Sequence, residues 1–198
     1  MSDENLFKVI LLGEIMVGKT NLINILTGGK FNENETATSA STSAMKDLLV
    51  KGDKYTIQIW DTIGQEKLRN LTKLFYNNSK IVIFVYDITR KETFEEIKNY
   101  WVKDVEEKLG KNIIKGIVAN KIDLFLNEQV TQEEGEEYAE SIDALFITTS
   151  AKTEGPAKFE DFLIKLYEKY LSGNKEKNNK KVFLKKKNSN LDNGKKCC

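Results

Sequence analysis

Histidine is absent from this 198-residue chain, and cysteine occurs only twice, as the final pair Cys197 and Cys198. Without histidine there is no histidine base, no triad built on one and no histidine metal ligand. Two adjacent cysteines cannot form a disulfide framework or a zinc site. No apolar run approaches the roughly 20 residues needed to span a bilayer. No basic-then-apolar segment opens the chain, so synthesis and residence in the cytosol are expected. Internal repeats are lacking, as is any segment resembling a nucleic-acid module. What remains is ordinary for a globular protein, with 40% hydrophobic and 31% charged residues. The length suffices for one α/β domain with its own core.

The net charge of +1 conceals an asymmetry. From Asn174 onward nine lysines stand against two acidic residues, giving +7, whereas residues 1–173 carry −6. A tail of that kind is usually disordered and seeks an anionic surface; membrane lipid is expected, not nucleic acid. Helical periodicity ends at Leu171. The reading is therefore one domain over residues 1–171 and a flexible basic tail over 172–198.

Strand and helix signals alternate along the domain. Phe7-Lys8-Val9-Ile10-Leu11-Leu12 is an apolar run, followed by helical spacing at Leu22, Ile23, Ile25 and Leu26. Leu48 and Val50 lead into a tight turn at Gly52-Asp53, and Tyr55-Thr56-Ile57-Gln58-Ile59-Trp60 alternates as a half-buried strand does. Ile81-Val82-Ile83-Phe84-Val85-Tyr86 is continuously apolar, as a strand covered on both faces would be. Gly116-Ile117-Val118-Ala119 and Leu145-Phe146-Ile147-Thr148 are two further strands. Thr93 with Glu96, and Thr131 with Glu134, read as capping boxes. The first opens a helix with Phe94, Ile97, Trp101 and Val105 on one side; the second opens one bearing Tyr138 and Ile142. After Pro156 a last helix should bury Phe159, Phe162, Leu163, Leu166 and Tyr170. The sum is an α/β fold: a mainly parallel six-stranded sheet with helices on both faces and ligand loops at the carboxyl ends of the strands.

Four motifs occupy those loops. Gly13-Glu14-Ile15-Met16-Val17-Gly18-Lys19-Thr20 fits G-x-x-x-x-G-K-[ST] between a strand and a helix. Its backbone N–H groups and the helix N-terminus suit a polyphosphate. Met16, Val17, Gly18, Lys19, Thr20 and Asn21 are the expected phosphate-side contacts, with Lys19 on the outer phosphates and the Thr20 hydroxyl on Mg²⁺. Asp61-Thr62-Ile63-Gly64-Gln65 follows another strand. Asp61 suits a water-bridged Mg²⁺ contact, Gly64 an N–H to the γ-phosphate, and Gln65 the catalytic placing of the attacking water. Asn120-Lys121-Ile122-Asp123 supplies a carboxylate that accepts from both the N1–H and the 2-amino group of guanine, a donor pair adenine lacks. The stem of Lys121 can lie over the base and Asn120 can tie loops together. Thr149-Ser150-Ala151-Lys152 offers a backbone N–H for the guanine O6 from Ser150, Ala151 and Lys152. Each motif alone is also a common polar turn; the four in this order describe a pocket for GTP or GDP with Mg²⁺.

On these residues the chain resembles the Ras superfamily of small GTPases and, within it, the Rab family, over about residues 7–171 and the last two positions. Ile57-Gln58-Ile59-Trp60, Lys67-Leu68-Arg69-Asn70-Leu71-Thr72 and Phe84-Val85-Tyr86-Asp87-Ile88-Thr89 resemble segments that mark Rabs. The resemblance implies a single P-loop NTPase domain; nothing in the sequence demands more than a monomer, and a monomer is expected. The resemblance implies that Phe31 stacks on guanine and that Thr38 reaches Mg²⁺ and the γ-phosphate, with Thr36 and Thr42 as alternative occupants of that slot. It also implies an exchange factor, a GTPase activator that supplies an arginine, a dissociation inhibitor and effectors at the switch regions. The terminal Cys197-Cys198 resembles a Rab double-prenylation signal. Two lipid chains beside Lys185-Lys186-Lys187 and Lys195-Lys196 give stable anchoring. The place implied is the cytoplasmic face of an intracellular membrane, in exchange with cytosol, and the role is in vesicle traffic.

Departures from the Rab pattern are informative. Ser39-Ala40-Ser41-Thr42-Ser43 is small and polar where Rabs carry an Ile-Gly-Val-Asp-Phe-like run, so an unusual partner set is expected. Ile15 and Met16 stand where the family has small residues or glycine. If Met16 takes φ > 0, the cost is about 1–2 kcal/mol. Ile63 replaces a small residue beside the γ-phosphate. Together they imply slow GTP hydrolysis. A GTP-loaded scaffold with negligible hydrolysis is the alternative. An ATP-dependent P-loop enzyme is a third class, opposed by Asp123 and Ala151.

Overall fold

Leu6–Leu12 forms the first strand, β1, of the computed structural model, which describes residues 6–38, 40–62 and 75–173. Its apolar residues divide by parity. Val9 and Leu11 enter one hydrophobic cluster and Ile10 and Leu12 another, because successive side chains leave a strand on opposite faces. Ile81–Asp87 (β4) does the same. It sends Ile81, Ile83 and Val85 to the first cluster and Val82, Phe84 and Tyr86 to the second, with all seven residues buried. The continuously apolar run thus reflects two covered faces.

The remaining strands are Thr42–Val50 (β2), Asp53–Asp61 (β3), Ile114–Asn120 (β5) and Ala144–Thr149 (β6). They form one six-stranded sheet in the order β2-β3-β1-β4-β5-β6, parallel except for the β2–β3 hairpin. Lys51 and Gly52 connect the hairpin with φ of 53° and 90°, the two positive values that a two-residue turn needs to match strand twist. β2 runs back to Thr42, well before the Leu48–Val50 stretch that its alternation reveals.

One face is covered by helix α1 (Lys19–Leu26) and by the last helix, α4, over 157–173. Leu22, Phe159, Phe162, Leu163 and Leu166 are buried there. Tyr167 is the more deeply buried tyrosine of α4; Tyr170 is partly covered and meets Phe7 edge-on at 4.7 Å. The opposite face carries α2 and α3 (Gln132–Ser141). α2 runs through three segments, Lys91–Glu96, a π-helical Ile97–Trp101 and Val102–Leu109. Phe94, Ile97, Trp101 and Val105 are all buried, as their spacing requires.

The two capping signals fare differently. Thr131 accepts from Glu134 N while Glu134 accepts from Thr131 N, a complete capping box. Thr93 is not a cap. The helix begins two residues earlier, at Lys91, after an extended Arg90. Thr93 is buried, donates to Arg90 O at 2.7 Å and accepts from Asp87 N at 3.1 Å. The end of β4 holds that threonine inside the helix, and this tertiary demand overrides the local pattern.

Parallel register brings the strand ends to one edge of the sheet. Leu11 pairs with Asp61, Asp87 with Asn120, and Asn120 with Thr149. The loops following β1, β3, β5 and β6 therefore open on the same side.

Candidate nucleotide site

The loop after β1 is held from several directions. Gly13 has φ 144°, and a Cβ there would lie 2.1 Å from Val85 O. Gly18 has φ 99°, and a Cβ would lie 2.3 Å from Asn120 Nδ2. Both glycines are thus required by backbone conformation and by close approach. Asn120 uses that approach to donate to Val17 O at 2.8 Å, and its Oδ1 receives the Ala151 N–H at 3.3 Å. One side chain ties three loops. Arg90 Nη2 donates to Ile15 O at 2.8 Å and Trp101 Nε1 donates to Glu14 Oε1 at 3.0 Å. The π-helical segment ends at Trp101, beneath this loop.

Met16, between these ties, has φ 63° and a side chain 48% exposed. A left-handed conformation in a residue with a Cβ costs about 1–2 kcal/mol, and such strain persists where neighbours over-determine it. Met16→Gly should relieve it, less the about 0.4–1 kcal/mol of added unfolded-chain entropy. The expected net gain is roughly 0.5–1 kcal/mol, a rise of about 2–3 °C in Tm, read by thermal melts of the two proteins. An unchanged or lower Tm would mean that the loop is relaxed at Met16.

Lys19 is 5% exposed and folds back on the same loop, its Nζ donating to Gly13 O at 2.9 Å and Glu14 O at 3.0 Å. Burial pulls its pKa down to about 8, against the raising influence of Asp61 and Glu14. Beside it, Thr20 Oγ1 donates to Asp61 Oδ2 at 2.7 Å and lies 2.8 Å from Thr38 Oγ1. Of the three candidate threonines, Thr38 makes this contact; Thr36 lines the cavity and Thr42 begins β2. Asp61 is buried, its Oδ1 has no hydrogen-bond partner among the described residues, and desolvation raises its pKa. Two hydroxyls and one under-satisfied carboxylate form an all-oxygen set. That set suits Mg²⁺, which takes few protein ligands and retains waters. The residues fit the ion.

At the other end, Asp123 Oδ1 accepts from Ser150 Oγ at 2.5 Å, and Ser150 Oγ in turn accepts from Lys152 N and Thr153 N, both at 3.1 Å. Lys121 has φ 69°, and its Nζ meets Asp87 Oδ2 at 2.7 Å. Lys152 Nζ binds Glu33 at 2.8 Å and lies 5.9 Å from the Phe31 ring centroid. Asn21 exchanges two hydrogen bonds with Asn32, Nδ2 to Asn32 O at 3.0 Å and Asn32 N to Oδ1 at 2.8 Å.

One cavity of about 220 Å³ runs between these groups, lined by Met16, Gly18, Lys19, Thr20, Asn21, Phe31, Thr38, Asn120, Lys121, Asp123, Ser150, Ala151 and Lys152. Val17 is an exception among the expected contacts. Its side chain is fully buried in the core and it does not line the cavity. Ile63, Gly64, Gln65, Cys197 and Cys198 lie outside the described residues.

Sequence reasoning missed Asn32, Glu33, Arg90, Trp101 and Asp87 as supports. Asp87 alone carries a usable signal, since like Asp61 it ends a strand.

The Ras family model matches residues 8–172. The chain belongs to the Ras family. Its relatives include Rab proteins. Ras-related protein Rab-21 of Homo sapiens is 43% identical over 146 residues, covering 74% of this chain and 64% of that protein. Rab-21 of Canis lupus familiaris is likewise 43% identical, over 74% of this chain and 65% of its own length. Ras-related protein Rab-30 of Homo sapiens is 37% identical over 147 residues, covering 74% of this chain and 72% of that protein. The chain thus spans about 65% of the length of the Rab-21 proteins it matches. It is a Rab-like member of the Ras family.

Proposed function

We propose that this Rab-like protein is a guanine-nucleotide switch that binds GTP and GDP with Mg²⁺ and hydrolyses GTP. The observation that carries the reading is the joining, in one cavity, of a buried Lys19, the Thr20–Thr38–Asp61 oxygen cluster and the Asp123 carboxylate. The shared lining suits phosphates at the first loop and a base against Asp123. Lys19 would turn from Gly13 O and Glu14 O to the outer phosphates. Thr20, Thr38 and, through water, Asp61 would hold Mg²⁺, whose charge offsets that of the phosphates. Asp123 would accept two hydrogen bonds from the guanine edge, with Phe31 and the Lys121 stem flanking the ring. Ala151 N–H meets Asn120 Oδ1 at a long 3.3 Å, so it remains able to donate to a base oxygen. In this role Gln65 places the attacking water and Gly64 meets the γ-phosphate. The nucleotide carried by the purified protein, identified by chromatography after denaturation, tests the reading. A protein that holds no guanine nucleotide in Mg²⁺, or prefers adenine nucleotides, overturns it.

Hydrolysis is slow in this proposal. Ile15 and Met16 fill the loop beside the γ-phosphate, with Met16 in a left-handed conformation, and Ile63 adds a branched side chain in sequence next to Gly64. Single-turnover GTP cleavage should rise about tenfold, the equivalent of 1.36 kcal/mol of barrier, in a Met16→Gly, Ile63→Ala double variant. An unchanged rate rejects the steric account. The strained Met16 also favours a second reading, a GTP-loaded scaffold with negligible turnover, which the same assay distinguishes.

The cellular reading is regulation of vesicle traffic from the cytoplasmic face of an intracellular membrane. Exchange factor, activator, dissociation inhibitor and effectors would meet the segments around Thr38 and Gly64. No helix among the described residues is long and apolar enough to cross a membrane. In this reading, anchoring rests on prenylation of Cys197 and Cys198 beside the basic tail. A Cys197→Ser, Cys198→Ser variant should move from the membrane pellet to the soluble fraction of cells; unchanged pelleting rejects lipid attachment there.

A further inference from the structure

The turn after β5, the 3-10 segment Ile122–Asn127, exposes three consecutive apolar side chains, Leu124 at 41%, Phe125 at 65% and Leu126 at 85%. Among the described residues they are half of the six large apolar side chains left exposed. Phe125 shares a cavity of about 160 Å³ with Glu128, Gln132 and Tyr86. Tyr86 is fully buried, and its hydroxyl has no hydrogen-bond partner among the described residues. Burial, with Glu128 and Glu134 nearby, pushes that phenol upward, so it stays a protonated and unused donor.

From this cavity α3 leads away as an acidic ridge. Glu133, Glu136, Glu137 and Glu140 are exposed, and none is paired with a lysine or arginine among the described residues. A shallow groove of about 440 Å³ continues the path, lined by Glu136, Glu140, Asp143 and Lys169. Lys169 belongs to α4 and its Nζ meets Asp143 Oδ1 at 2.6 Å. The end of α4 therefore lies beside the end of α3, and the chain leaves Gly173 one helical turn past that contact.

The segment that follows is complementary. Residues 180–187 read Lys-Lys-Val-Phe-Leu-Lys-Lys-Lys, an apolar triplet between lysines, in a +7 tail attached to a −6 body. Ten residues separate Gly173 from Phe183, a reach of up to about 35 Å at roughly 3.3–3.6 Å per residue. The ten residues of α3 span only about 15 Å at 1.5 Å each. We propose that residues 180–187 dock in cis along the α3 groove, with the lysines against the glutamates and Phe183 and Leu184 on the Leu124-Phe125-Leu126 patch. The docked tail withdraws its lysines from an anionic leaflet, so docking and membrane contact exclude each other. Leu124 also borders the nucleotide cavity, but the docking argument rests on Phe125, Leu126 and the α3 glutamates and does not depend on the nucleotide reading.

The test uses the full chain with Cys197→Ser, Cys198→Ser and Ser189→Cys, carrying a nitroxide on the introduced thiol. Amide signals of Ile122–Asn127 and Gln132–Ser141 should lose at least half their intensity relative to the reduced label, while β2 and β3 keep theirs. Adding Phe183→Ser and Leu184→Ser, or Glu133→Lys, Glu137→Lys and Glu140→Lys, should restore the signals. Weak broadening spread over the whole surface overturns the proposal, as does broadening that survives the Phe183→Ser, Leu184→Ser change. Broadening transferred to unlabelled chains in a mixture overturns the cis arrangement in favour of a second copy. Vesicles containing 30% phosphatidylserine should release the broadening; its persistence on vesicle-bound chains overturns the competition.

Discussion

Asp123→Ala should abolish the choice of guanine over adenine, lowering the GTP-to-ATP affinity ratio by about 10⁴-fold. A site that hydrogen-bonds its ligand's polar edge rejects an analogue lacking the donors by that order, because its own buried group is left unpaired. The mechanism is therefore one of rejection as much as attraction. Asp123 without a guanine edge retains only the Ser150 hydroxyl on one oxygen, and adenine presents no donor pair to replace the lost water. Alanine has nothing to leave unpaired, so ATP affinity should hold or improve while GTP affinity falls. Ser150→Ala is the control. It removes the hydroxyl that accepts from Lys152 N and Thr153 N and that donates to Asp123 Oδ1, but it keeps the carboxylate that accepts from the base, so both nucleotides should weaken while the preference for GTP persists. Competition titrations on the nucleotide-free protein measure both ratios. A preference for GTP that survives Asp123→Ala would place base recognition elsewhere in the cavity.

The residues of the candidate site are legible because they are local. A phosphate loop and a base-reading loop each need a few residue types at fixed offsets, and each follows a strand whose apolar run announces it. The continuously apolar run of β4 likewise pointed to a sheet covered on both faces. What stayed hidden is set by distance along the chain. Arg90 reaches Ile15 across 75 positions and Trp101 reaches Glu14 across 87; neither bond has a local pattern. The failure at Thr93 has the same origin. Its T-x-x-E spacing matches that of Thr131, which does cap, but the end of β4 decides where the helix begins. The left-handed Met16 was legible only as a conditional, since the glycine-poor loop states the cost while Arg90, Trp101 and Asn120 supply the restraint.

That restraint matters for function. The first loop is fixed at Glu14, Ile15 and Val17 by side chains from α2, from Arg90 just before it and from β5. A loop already held in its curved form has its N–H groups oriented before an anion arrives. Pre-organisation of this kind reduces the ordering cost of binding. The strain at Met16 is then a cost carried by the fold in exchange for geometry at the site.

Lys19→Met should weaken GTP and GDP by about 10³-fold and stabilise the empty protein. Each charged hydrogen bond contributes about 1.5–3 kcal/mol, so two phosphate contacts account for roughly 4 kcal/mol. The opposite sign for stability follows from burial. Desolvation holds the Lys19 pKa at about 8, well below its ordinary 10.5. The unfolded chain then binds more protons than the fold between those values, so wild-type stability rises as pH climbs from about 8 to 10.5 and is reduced below pH 8. At neutral pH the reduction is about 3 kcal/mol. Part of it is offset in the variant, because Gly13 O and Glu14 O lose their donor. The same linkage governs binding. Phosphates draw a proton onto Lys19, so wild-type affinity should fall by up to about tenfold per pH unit above pH 8, whereas Lys19→Met should be flat across that range. Calorimetry in two buffers of different ionisation enthalpy reads the proton uptake directly. A variant that binds as tightly as the wild type, or a wild type with no proton uptake at pH 9, would show that the ammonium does not serve the phosphates.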